Sequence, residues 1–252
     1  MSILNRSQFQ KYQKDFITLK SYNGFRHKLT LHRSIRLPGW EDELKTSPRC
    51  LVNDEKLENN IARARETVLE LALCNNWELF CTLTLNGKKH ERSDLPSFIK
   101  KLSQWLRDYN KKHGTKIKYL LIPELHKDKS SWHMHGFFMG LPQSHLKINK
   151  HGYLDWIEYQ EAFGFISIDK IRSHQGASVY ITKYISKNLS DCVTRQNAKM
   201  YYCSQNLARA ETLKSGKLSN SLPLTPNYEN DYVKVYWLDT PEQIASALQA
   251  IE

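Results

Sequence analysis

From residue 54 onward the apolar positions follow two periods. Leu57, Ile61, Ala64, Val68 and Leu71 recur at three and four residues, which predicts a helix over 54–73 capped by Asp54. WELFCTLTL (77–85) changes to period two and predicts a strand with Thr82 and Thr84 on one face. Over 94–110 the stripe Leu95, Phe98, Ile99, Leu102, Trp105, Leu106 and Tyr109 predicts a second helix, with Ser93 or Asp94 as cap and Pro96 in its first turn. IKYLLIPEL (117–125) and WHMHGFFMGL (132–141) read as two strands joined by the polar hairpin loop HKDKSS. A short helix over 156–163 stops at Gly164, FISID (165–169) is a strand, and 175–189 is a helix. VKVYWL (233–238) predicts a late strand and 241–250 a terminal helix.

The core order is β-α-β-β-α-β-α. It predicts an α+β fold: a mainly antiparallel central sheet with the helices packed on one side as a sandwich. Residues 34–53 and 211–230 carry most of the Pro, Ser and Asn and are the weakest for structure. The expected organisation is a basic N-terminal arm and helix over 1–75 and a core over 76–210. Residues 211–252 are expected to supply a strand and helix that complete the core domain.

Charge changes the picture. Lys and Arg number 37 against 26 Asp and Glu, a net +11, which points to a polyanionic partner that would release counterions on binding. The excess is local. Residues 1–33 hold seven Lys/Arg and one acid, and 88–118 hold ten against Glu91, Asp94 and Asp108. The tail from Tyr228 holds one Lys and five acids, so the anion is expected at the N-terminal arm and the middle. Lys88, Lys89, Lys100, Lys101, Arg107 and Arg172 are the candidate contacts with that polyanion. No apolar run approaches the ~18 residues of a membrane span, and the N-terminus lacks a secretory apolar core. A cytoplasmic protein is expected. Cys50, Cys74, Cys81, Cys192 and Cys203 form no CxxC pair and read as reduced thiols.

Two places carry chemistry. His133 and His135 flank Met134 on a predicted strand, so both imidazoles point to one sheet face. If the hairpin closes symmetrically around Asp128–Lys129, Glu124 falls opposite His133. Two imidazoles and a carboxylate with open positions suit Mg²⁺, Mn²⁺ or another divalent ion that must also hold a phosphate oxygen. His126, where the loop begins, is a weaker candidate. The plain alternative is a pair of satisfied histidines and a solvated carboxylate.

The second place is the helix over 175–189. Tyr180, Lys183, Tyr184 and Lys187 fall within an arc of about 100°, while Ile181, Ile185 and Leu189 take a separate arc. A phenol with a pKa near 10 is a poor nucleophile, but a nearby ammonium favours the phenolate and a metal ion polarises a phosphoryl group. Tyr, Lys and a His-rich metal site together suit covalent attack on a phosphodiester. The alternative is an ordinary amphipathic helix whose rings pack and whose lysines reach water.

Three blocks in order resemble the HUH endonucleases of the rolling-circle replication initiator type. FCTLTLN (80–86) is similar to the first strand motif and HMHGFF (133–138) to the histidine-hydrophobe-histidine motif. YITKYISK (180–187) is similar to the two-tyrosine form found in replication proteins of single-stranded DNA phages and some plasmids. The resemblance covers about 77–204 and implies an HUH/RRM-like, ferredoxin-like sandwich that nicks and rejoins single-stranded origin DNA through a 5′-phosphotyrosine. It implies His133, His135 and Glu124 as ligands of Mg²⁺ or Mn²⁺, Tyr184 as first nucleophile and Tyr180 as second. Lys187 and Lys183 would sit by the phosphate or metal. No GxxxxGK[ST] loop occurs, so unwinding is expected from a host helicase, with a host polymerase extending the freed end. Rival expectations are a single-strand transposase with the same site, a non-catalytic DNA-binding replication regulator, and an RNA-binding module on the same plan.

Overall fold

The computed structural model describes residues 12–24, 26–36, 54–187, 199–219 and 221–252; for residues 12, 36, 54–57, 59, 186 and 187 it describes the backbone alone. Residues 1–11 of the expected 1–75 region, Cys50, Cys192 and most of the weak stretch 34–53 lie outside the described residues. The fold is α+β with two antiparallel sheets, one in each of two compact units: residues 52–208, and residues 1–51 together with 209–252. No described helix is long and apolar enough to cross a membrane. Cys74, Cys81 and Cys203 are free thiols.

The larger unit runs α1 (Asp54–Cys74), β3 (Leu79–Thr84), α2 (Leu95–His113), β4 (Lys118–Leu125) and β5 (Trp132–Met139). Two short strands, β6 (Lys147–Ile148) and β7 (Leu154–Asp155), precede α3 (Ile157–Ala162), β8 (Ile166–Lys170), α4 (His174–Lys187) and β9 (Tyr202–Cys203). Its sheet order is β6-β7-β8-β3-β5-β4-β9. The central four strands, β8-β3-β5-β4, are joined as a βαββαβ unit whose crossover helices are α2 and α3.

Local chemistry explains the elements. Asp94 caps α2 by accepting from Ser97 N at 3.0 Å, Pro96 sits in its first turn, and Gly114 ends it at φ 65°. Lys111, Lys112 and His113 place positive charge on the helix's negative end. In the β4–β5 hairpin the Asp128 carboxylate accepts from Ser130 N and Ser131 N, both at 2.9 Å, and Lys129 takes φ 55°. These bonds hold the Asp128 carboxyl well below the usual range. Gly136 is required by space, because a Cβ there would lie 2.0 Å from the Leu120 carbonyl oxygen.

The strand alternation sorts the core into two layers. Cys81, Leu83, Met134, Phe138, Ile166 and Ile168 pack against Phe98, Leu102 and Leu106 of α2 and Tyr159 of α3. Leu120, Ile122 and Phe137 point the other way, against Val68 and Leu71 of α1 and Ile181 and Ile185 of α4. Each fully buried Ile or Leu contributes about 1.5–3 kcal/mol. The expectation of helices on one side is therefore corrected: α2 and α3 share one face, and α1 and α4 cover the other. An apolar row on both faces of a central strand demands this.

The smaller unit has no counterpart in the expected elements before residue 54. Its strands are β1 (Tyr12–Tyr22), β2 (Arg26–Arg36), β10 (Glu211–Lys217), β11 (Tyr228–Glu229) and β12 (Val233–Leu238), in the order β10-β1-β2-β12-β11. Helix α5 (Pro241–Gln249) is capped by a reciprocal Thr240–Gln243 pair. Ile17, Leu19, Leu29, Leu31, Tyr236 and Leu238 form the core with Ala247 and Ile251. The C-terminal strand and helix thus pair with the N-terminal strands instead of completing the 76–210 sheet, and α1 belongs to the larger unit. Within 12–36 the alternating apolar positions are interleaved with Lys and Arg, which reads as a basic arm when charge is weighed first.

Candidate active site

Three rows of side chains cross β3, β5 and β4 on the face shared with α4. The first is Phe80, Phe137 and Leu120; the second Thr82, His135 and Ile122; the third Thr84, His133 and Glu124. The face therefore grades from apolar to polar along the strands. α4 is anchored over the apolar end by Ile181 and Ile185, and its rings reach the polar end.

His135 is held on three sides. Its Nδ1 is 3.0 Å from Thr82 Oγ1, its Nε2 is 2.5 Å from Glu124 Oε2, and the Tyr184 ring stacks on it at 4.1 Å and 15°. His133 repeats the threonine contact, with Nδ1 3.0 Å from Thr84 Oγ1, and stacks on His126 at 4.8 Å. Its Nε2 is buried with no hydrogen-bond partner. Burial first, then the charges of His126, His135 and Arg92, push the His133 pKa below 6.5. His133 is therefore a neutral imidazole near pH 7, with one nitrogen committed to a hydroxyl and the other unused.

The donor types, and the orphaned His133 Nε2 among them, are those a divalent ion takes. With its Nδ1–H donating to Thr84, His133 offers an Nε2 lone pair, and His135 would offer one where an ion replaces the proton its Nε2 shares with Glu124, whose carboxylate supplies a hard oxygen. Imidazole and carboxylate donors with open positions suit Mg²⁺ or Mn²⁺. Among the described residues no three His, Cys, Asp or Glu side chains converge as a metal-binding group. Glu124 lies opposite His133 in register but reaches diagonally to His135.

Tyr180 and Tyr184 are one turn apart on α4, and their phenol oxygens are 2.9 Å from each other. Phe80 supports both rings, at 5.7 Å and 6.4 Å between centroids. Burial holds the Tyr184 pKa well above 10, reinforced by the hydrogen bond and charge of Tyr180 and by the charge of Glu124. Tyr180 is 46% exposed and is the more open of the pair, Tyr184 being half-buried. The Lys183 ammonium lies 5.5 Å from the Tyr180 ring centre. Lys187 ends the helix, and its side chain lies outside the described residues.

Residues 78–189 match the family model of the ORF2-type Replication-associated protein. The match spans β3 through α4, and so every row of the site, in under half the chain. It supports a Rep-type, replication-associated protein with a role in starting rolling-circle replication and with DNA as its partner. No curated protein and no solved structure matches the chain.

The Rep-like span holds all six nominated DNA contacts, but it does not gather them at the histidines. Lys100, Lys101 and Arg107 lie on α2, across the sheet from His135, beside a groove of about 620 Å³ that His90 and Phe163 also line. The physical reason is the apolar stripe of α2, which turns its charged side outward from the far face. Lys88 and Lys89 follow β3, and Lys89 Nζ donates to the Glu161 carbonyl at 2.8 Å. Arg172 is exposed just before α4. Sequence reasoning missed Thr82 and Thr84 as partners of the histidines, and Arg92, whose charge acts on His133. The available signal was a threonine pair and a histidine pair, each at i and i+2, on two strands.

Proposed function

We propose that this chain is a metal-dependent nicking and joining enzyme for single-stranded DNA that initiates rolling-circle replication of a phage or plasmid. The observation that carries the reading is the Tyr184 ring stacked on His135, which itself contacts Glu124. A tyrosine, one imidazole and a carboxylate are thus in mutual contact, with His133 on the next row of the same face, and this supports an HUH-type reading.

His133 Nε2, His135 Nε2 and Glu124 would hold Mg²⁺ or Mn²⁺, which when bound would polarise the scissile phosphate. The Tyr184 oxygen attacks phosphorus, the P–O3′ bond breaks, and the DNA 5′ phosphate becomes esterified to tyrosine. The phenol proton leaves through solvent, and the departing oxygen takes one up as a free 3′ hydroxyl. A host polymerase would extend that end while a host helicase opens the duplex, in the bacterial cytoplasm. Later a 3′ hydroxyl attacks the phosphotyrosine and restores the phenol. Tyr180, 2.9 Å from Tyr184 at the oxygens, serves as the second nucleophile. Lys183 and Lys187 offset phosphate charge from the same helix.

The test uses single-stranded oligonucleotides from the protein's own replicon, labelled at the 3′ end, with Mn²⁺ or Mg²⁺. Label that migrates with protein on a denaturing gel, needs metal and vanishes in Tyr184→Phe supports the mechanism. Absence of any covalent species with every replicon fragment and metal overturns it.

A further inference from the structure

The larger unit carries a groove that the nicking chemistry does not use. It measures about 680 Å³ and lies between the second half of α2, the turn that leads into β4, and the edge strand β9. α2 packs on the sheet face opposite α4, and Tyr119 and Tyr202 belong to the layer of α2. The groove is therefore on the far side of the sheet from Tyr180 and Tyr184.

Hydrogen bonds fix its walls. The Asn110 side chain donates to the Ile117 carbonyl at 3.1 Å and accepts from Ile117 N and Thr115 Oγ1, both at 2.8 Å. These bonds clamp the turn that carries Lys116. Tyr119 N donates to Ser204 Oγ and Ser204 N donates to the Tyr119 carbonyl, each at 2.9 Å. The Tyr119 hydroxyl is 3.0 Å from Ser103 Oγ on α2, which ties the strand to the helix. The opening is thus built before any ligand arrives.

Four cations line the groove, Arg107, Lys116, Lys118 and Lys199, and no Asp or Glu is among its lining residues. Three of the four are positioned by neutral partners. Arg107 donates to Gln104 Oε1, Lys118 Nζ donates to the Asn206 carbonyl, and the Lys199 ammonium lies 5.0 Å from the Tyr202 ring centre. Such contacts hold charges in place without cancelling them. The Asp108 carboxylate, next to Arg107 in sequence, accepts from the Gln104 amide. Arg107, Lys116 and Lys199 are exposed, so a ligand in solution can reach them. A ligand with more than one negative charge offsets their mutual repulsion.

The remaining lining is apolar or aromatic. Ile99, Leu106 and Ile117 form one side, and Tyr119 and Tyr202 stand half-buried beside them. Burial raises the Tyr202 pKa, so its phenol stays protonated and adds no negative charge. A matching ligand needs an anionic part for the cations and a flat ring for the aromatic side. A nucleotide has both, and the volume lies in the range of small-molecule sites.

We propose that this groove is a nucleotide-binding site that holds phosphate on Arg107, Lys116 and Lys199 and a base against Tyr202. It requires no metal and none of Tyr180, Tyr184, His133 and His135. A free nucleotide and one unit of a DNA strand present the same phosphate and base, and the probes below separate the two sources.

The test is titration calorimetry on the full chain in EDTA at low salt, with dATP and with oligodeoxyadenylate of about six nucleotides as separate probes. Lys116→Gln/Lys199→Gln should weaken binding about tenfold or more, because each lost contact is charge-assisted. Lys111→Gln/Lys112→Gln removes the same charge from exposed positions of α2 outside the groove and should bind like wild type. A loss for dATP alone assigns the groove to a free nucleotide. A loss for the oligonucleotide, with or without dATP, assigns it to a nucleotide within a strand. No loss for either probe, or equal losses in the two doubles, overturns the proposal. So does inorganic triphosphate that binds as tightly as dATP, since no base is then read. Photolabelling with the 8-azidoadenine form of the bound probe should mark a peptide containing Tyr119 or Tyr202. Labels confined to residues 132–139 and 174–187 overturn the proposal whatever the variants do.

Discussion

Thr82 and His135 are joined across β3 and β5, with 3.0 Å between the hydroxyl oxygen and Nδ1, and Thr84 and His133 repeat the bond one row along. A histidine that binds an ion through Nε2 needs its other nitrogen fixed, and an outer partner of this kind is typically worth 10–100-fold in metal affinity. Thr82→Val and Thr84→Val keep shape and lose the hydroxyl. Each should fold, at a cost of about 1 kcal/mol, and weaken Mn²⁺ binding within that range, with Thr→Ser restoring it. Titration calorimetry with Mn²⁺ alone reads this without any nicking assay. Unchanged affinity in both valine variants would sink the positioning role.

The phenol pair makes a titration prediction. Burial is the largest cause of the raised Tyr184 pKa, and Tyr180 adds to it by hydrogen bond and by charge. Tyr180→Phe removes both additions, so the Tyr184 phenol should ionise at lower pH than in wild type while staying above 10 because burial persists. Carbon-13 labelling of tyrosine Cζ with a pH series by NMR gives the value. A Tyr184 pKa that is unchanged or higher in the variant would show that the oxygens do not interact.

Gly136 makes a stability prediction. A Cβ at this position meets the Leu120 carbonyl oxygen at 2.0 Å and the Leu121 Cα at 2.8 Å, and both are backbone atoms of the paired strand. Neither can rotate away, so β4 must separate from β5. Gly136→Ala should cost about 3 kcal/mol or more and yield little soluble protein. Denaturant unfolding or soluble expression checks it, and a variant as stable as wild type would show that the strands shift freely.

Much of the larger unit was legible because its signals are local. Asp94, Pro96 and the stripe through Leu106 mark α2, and symmetric closure about Asp128–Lys129 places Glu124 opposite His133, as the register shows. The shared face of Tyr180, Lys183 and Tyr184 follows from helical geometry alone. What was not legible depends on partners distant in sequence. β2 is completed by β12, about two hundred residues away, and the Lys and Arg around Leu29 and Leu31 conceal a strand as a charged arm. The charged helix face of Lys100, Lys101 and Arg107 is legible, but its side of the sheet is not. The side of the sheet on which α2 packs is decided by tertiary contacts.

His32 makes the pH prediction. Its pKa is held below 6.5 by burial first, then by Lys28 and Lys20; Phe16 and Val233 flank it in register. In the unfolded chain the imidazole takes up its proton near pH 6.5, and in the folded chain it does so at lower pH. The unfolded state therefore binds more protons just below pH 6.5. The stability linked to this group is complete above that pH and is lost as pH falls toward the folded pKa. His133 shifts in the same direction, by burial and then His126, so both act in one window. His32→Gln should flatten the fall in Tm below about pH 6.5, and His32→Gln/His133→Gln should flatten it further. Differential scanning calorimetry across that range separates these contributions. A wild-type slope in His32→Gln would mean that the imidazole is not held neutral by its surroundings.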